Sequence, residues 1–148
     1  MFMRLALIVG FALGLAGGAP ASADPVSDGV AAIPGVVEDV RIGGTWNADG
    51  KSGTYRIVVT RSGGDMVTAR LFVQWVAFLD DGGAAVDHSI EIVELAELQV
   101  DVDDFVSESD EEGLSVFIRT VDPSGADDLA YELFVFSPTD YSFGLATN

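Results

Sequence analysis

Carboxylates are the one abundant chemical resource of this chain, which has 24 Asp and Glu against seven Lys and Arg, a single histidine and no cysteine. They are densest at Asp101, Asp103 and Asp104, followed by Glu108, Asp110, Glu111 and Glu112. Hard cations such as Ca²⁺ bind through oxygens of this kind, so Asp101, Asp103 and Asp104 are the candidate metal ligands, with Ca²⁺ as the one cofactor considered. The spacing is not that of an EF-hand, because Phe105 stands where the loop needs an oxygen donor and no glycine follows it. A second acidic turn, residues 122–128, would add ligands if neighbouring hairpins brought the two together. Otherwise such loops are solvated and blunt exposed strand edges.

Paired acid and base catalysis of the glycosidase kind is the other use for carboxylates. With so many of them, close pairs arise by chance, and nothing in the sequence marks one with a raised pKa. Asp87-His88-Ser89 sets the only imidazole beside a carboxylate and a hydroxyl. Adjacent strand residues point to opposite faces, so neither neighbour meets the His88 ring without strand distortion. Gly50-Lys51-Ser52 resembles the end of a phosphate-binding loop, but the glycine needed five positions earlier is Thr45 and a strand follows rather than a helix. No Gly-x-Ser-x-Gly elbow is present. Without cysteine, thiolate catalysis, thiolate zinc sites and iron–sulfur clusters are excluded. No residue is assigned catalysis, and the expectation is a protein that is not an enzyme.

Residues 1–23 read as a secretory signal peptide: Arg4 supplies the positive start, residues 5–19 an apolar stretch, and Ala21 and Ala23 the small residues before a cleavage point at Asp24. The apolar stretch is short against the roughly 20 residues of a spanning helix. Lipidation of the bacterial type needs a cysteine. The expected product is therefore exported, to a periplasm or the outside, with no stable membrane anchor after cleavage. The net charge is −17, and removing the signal takes away one arginine and no acid. Such a surface repels nucleic acid and anionic headgroups, which leaves an unknown small molecule or protein as partner.

These side chains need a scaffold that folds by packing alone. Residues 24–35 lack sustained periodicity and read as a flexible N-terminus; residues 36–148 read as a single all-β domain. Alternation predicts about eight strands, at Val40–Trp46, Thr54–Thr60, a long third run over 67–79, a run through Val86, His88, Ile90 and Ile92 sharing one face, and further strands at 98–106, 114–121, 129–137 and 141–146. Asp49-Gly50, Ser62-Gly63-Gly64-Asp65 and Asp80-Asp81-Gly82-Gly83 suit hairpins, and Glu94–Glu97 a short helical turn. In the third run Val67, Ala69, Leu71, Val73, Trp75, Ala77 and Leu79 share a wholly apolar face. The opposite face carries Phe72, Val76 and Phe78, more apolar surface than a barrel exterior exposes. The expected fold is an antiparallel β-sandwich, with a small up-and-down barrel as the alternative.

Gly44-Thr45-Trp46 resembles the Gly-x-Trp signature of lipocalins and related calycin barrels, and Gly53-Thr54-Tyr55 is faintly similar to avidin-like strands. The resemblance covers three to six residues, roughly one strand end. It implies a closed barrel with a ligand in its mouth, with Trp46 at the base and Val73 and Trp75 on the inner wall. Three functional expectations follow. The first is a non-catalytic binding or structural module whose acidic loops hold Ca²⁺; the second, a calycin-like binder of a small apolar ligand or an exported protease inhibitor; the third, a carboxylate-based hydrolase.

Overall fold

The computed structural model describes residues 24–147, so the signal-peptide reading of residues 1–23 lies outside the described residues. The described residues fall into two units, 24–33 and 34–147. In the first, the stretch without periodicity contains helix α1 (Pro25–Ala31). Asp24 caps it, accepting the Val26 N–H at 3.1 Å and the Ser27 hydroxyl at 2.8 Å, and Pro25 opens the first turn. No residue of α1 is buried.

The second unit consists of two four-stranded antiparallel sheets. β1 (Val37–Ala48), β2 (Lys51–Ser62), β3 (Thr68–Phe78) and β4 (Ala84–Glu91) form one meander. Helix α2 (Val93–Leu98), at the site of the expected helical turn, leads into the other meander of β5 (Asp101–Ser109), β6 (Leu114–Val121), β7 (Ala130–Ser137) and β8 (Asp140–Leu145). The β-sandwich expectation holds. The closed barrel does not, because each sheet keeps two outer strands, β1 and β4 in one and β5 and β8 in the other.

Strand alternation builds the core. Ile57, Val59, Leu71 and Val73 on one inner face meet Phe105, Leu114, Val116, Ile118, Leu133 and Val135 on the other in a single cluster. Burying each such side chain contributes roughly 1.5–3 kcal/mol. Leu95 of α2 and Ile92 before it join the same cluster and plug the chain's passage between the sheets.

Hydrogen bonds also tie β1, β2 and β3 to β5 and the residue before it. Arg41 donates to the Asp104 carboxylate at 2.8 Å and the Phe105 carbonyl at 2.9 Å, with its guanidinium 4.3 Å from the Phe105 ring centroid. Arg61 donates to Asp101 at 2.7 Å and to the Val102 carbonyl, while the Ala69 N–H reaches the Val100 carbonyl at 2.8 Å. Between Ile42 and Gly44 the register slips, leaving Gly44 at φ +119°, and the Thr45 N–H bonds Ser109 Oγ at 3.0 Å. A Cβ on Gly44 would sit 2.0 Å from that oxygen, so the glycine lets β1 lie against β5.

Candidate ligand-binding cleft

The hairpin loops decide which residues meet at the ends of the sandwich. Ala48 pairs with Lys51, so the first turn is only Asp49 and Gly50, at φ 52° and 74°, the two left-handed residues of a type I′ hairpin. In the β5–β6 turn Asp110 Oδ1 accepts the Glu112 N–H at 2.8 Å and the Gly113 N–H at 3.2 Å, which fixes Glu111 and Glu112. These two turns, the end of β3 and the β7–β8 turn gather around an open cleft of about 680 Å³.

Aromatic side chains line the inner part of that cleft. Trp46, Tyr55 and Trp75 all border it, yet each is buried, with 8%, 5% and 5% of its surface exposed. The Trp46 indole N–H donates to the Thr54 carbonyl at 3.2 Å, and the Tyr55 and Trp75 rings meet edge to face at 5.7 Å. Burial pushes the Tyr55 phenol above its ordinary pKa; a hydrogen bond from Trp75 opposes that shift, and the Asp110 charge adds to it. Phe78 and Phe136 also border the cleft, with 58% and 51% of their surface exposed. Asp49, Asp110, Glu111 and Glu112 supply its exposed carboxylates.

The structure brings Trp46 and Trp75 together and separates them from Val73. That valine is fully buried in the core and does not border the cleft, because packed sheets replace the hollow barrel interior it was expected to line. Tyr55, Phe78, Phe136 and the Asp110–Glu112 turn are the residues that sequence reasoning left out of the site. The acidic turn was a visible signal; its meeting with Trp46 was not.

Asp101, Asp103 and Asp104 are each committed to arginine. Asp101 pairs with Arg61, Asp103 with Arg119 at 3.0 Å, and Asp104 with Arg41 and Arg119. The Arg41 hydrogen bond is the main cause holding the Asp104 carboxyl below its ordinary pKa. The register shifts between Val102 and Asp104, and Asp103 and Asp104 meet at a shared Arg119 while Asp101 pairs separately with Arg61. Among the described residues, no three His, Cys, Asp or Glu side chains lie together in a metal-holding arrangement.

The Asp87-His88-Ser89 run departs from simple alternation. Trp75 pairs with His88 and Val76 with Val86, so Asp87 is an extra, bulged residue. The bulge brings the Asp87 carboxylate within 3.3 Å of His88 Nε2, and it moves Val86 off the face it was expected to share with His88. Asp87 also receives Lys51 Nζ at 2.6 Å, the main cause of its lowered pKa, and Ser89 Oγ accepts from Gln74 instead of facing the imidazole. The serine is therefore no partner of the pair. No family model, curated protein or solved structure matches this chain.

Proposed function

We propose that this protein is an exported, non-catalytic binding module whose ligand enters the cleft at the hairpin end of the sandwich. The observation that carries this reading is the cleft itself. Its volume of about 680 Å³ falls within the roughly 300–1,000 Å³ of small-molecule sites, and aromatic residues converge on it with a few polar groups, as such sites require. Export rests on the residue pattern at positions 1–23. Hydrolysis by paired carboxylates is less well supported, because a general acid needs a carboxyl group desolvated against apolar surface, and Asp49, Asp110, Glu111 and Glu112 are all exposed.

The chain's two tryptophans both border the cleft, so its tryptophan emission reports on that site. Three probes sample the ligand classes: choline as a cation, cellobiose as a neutral polyol and benzoate as an anion. At least one is expected to change the emission saturably. The double variant Phe78→Ala/Phe136→Ala should weaken that binding about tenfold, since each aromatic contact is worth about 0.5–1.5 kcal/mol, while the far-ultraviolet circular dichroism stays unchanged. Three flat titrations would contradict the reading.

A further inference from the structure

The lining of the cleft carries acidic residues and no basic one. Arg41, Lys51, Arg61, Arg70 and Arg119 are ion-paired, to Asp39 and Asp104, Asp87, Asp101, Glu91, and Asp103 and Asp104 respectively. Arg56 is held by Gln74 at 2.8 Å. None of these cations borders the cleft, where Asp49, Asp110, Glu111 and Glu112 have no basic partner among the described residues and stand beside five aromatic residues. Tyr55 is buried and borders the cleft, where Trp75 hydrogen-bonds to its phenol.

We propose that the cleft selects a small organic cation, an ammonium group carried on an apolar body. This rests on the reading of the cleft as a binding site and names its ligand class. Four uncompensated carboxylates repel an anion at any orientation. The π faces of Trp, Tyr and Phe attract a cation through the ring quadrupole, and an alkylated ammonium gives up its hydration more readily than Na⁺ or Ca²⁺. An inorganic ion would need converging oxygens, whereas the inner part of this cleft is aromatic. The apolar body rests against Phe78 and Phe136, and the carboxylates of Glu111 and Glu112 face the charge.

The test compares choline with 3,3-dimethyl-1-butanol, its uncharged isostere, by tryptophan emission on the full chain. Choline is expected to bind about tenfold more tightly at low salt, with the margin shrinking near 0.15 M NaCl, where the Debye length is about 8 Å. Glu111→Gln/Glu112→Gln, at two exposed residues of a turn held by the Glu112 and Gly113 N–H groups on Asp110, should bring choline down to the affinity of the isostere. Equal binding of the two probes by the unaltered protein would overturn the cation preference and leave the cleft as a binding site. Binding of neither probe overturns the cation proposal, and the cellobiose and benzoate titrations then decide separately whether the cleft binds at all.

Discussion

Replacing Gly53 with alanine is expected to destabilise the protein by about 3 kcal/mol, the upper part of the overpacking range. Gly53 is buried where three strands run side by side, opposite Trp46 on β1 and Ala77 on β3. A single added Cβ would lie 1.9 Å from the Val76 carbonyl oxygen and 2.8 Å from its carbon. Those are backbone atoms of a hydrogen-bonded ladder, so no side-chain rotation relieves the clash and the strands must part. Gly53 also borders the cleft, next to the Thr54 carbonyl that receives the Trp46 indole. The loss should therefore be accompanied by a change in tryptophan emission. Gly64→Ala is the control: nothing lies within 4 Å of its Cβ position, and its cost should stay within about 0.5 kcal/mol. Urea midpoints measure both, and equal midpoints would contradict the close approach at Gly53.

Leu71→Ala and Leu133→Ala should each cost about 3–5 kcal/mol, the loss of transfer energy plus the cavity left behind. Leu71 belongs to the first sheet and Leu133 to the second, and both are fully buried in the one cluster between them. If each sheet were stabilised separately, truncation would affect one sheet and broaden the transition. A shared core instead predicts a single cooperative transition for both variants, with the denaturant slope of the parent protein. Val106→Ala, on the outer face with 63% of the residue exposed, should cost less than about 1 kcal/mol. A comparable cost at all three positions would contradict the assignment of faces.

The β-sandwich was legible because alternation along β3 was strong enough to identify its buried face, and Ala69, Leu71, Val73, Trp75 and Ala77 are all buried. Strand ends were harder. The Asp49-Gly50 turn is tighter than the seven-residue loop around it suggested, so β1 and β2 extend to Ala48 and Lys51. Bulges were invisible to a period-two reading, and the one at Asp87 set the faces of Val86 and His88. Helix α1 was missed because its short Gly-containing run has no buried face to impose a pattern.

The site was half legible for a related reason. The Gly-x-Trp resemblance pointed to Trp46 and Trp75, but sequence alone does not say which hairpin ends come together. Phe78 has the parity of the outer face and reaches the cleft only because it ends its strand there. The Asp101–Asp104 concentration looked like a metal site because its arginine partners lie far away in sequence, on β1, β2 and β6. Salt bridges formed across the fold engage all three carboxylates with arginine, Asp103 and Asp104 through a shared Arg119.

The central claim is that both tryptophans border an open cleft whose carboxylates lack basic partners among the described residues, and differential quenching tests it without any ligand. Stern–Volmer constants for Cs⁺ and I⁻ are measured at equal ionic strength and normalised to N-acetyltryptophanamide. Attraction of cations into the cleft predicts a larger normalised constant for Cs⁺ than for I⁻, with the difference reduced in Glu111→Gln/Glu112→Gln. Equal normalised constants, or stronger quenching by I⁻, would contradict the account.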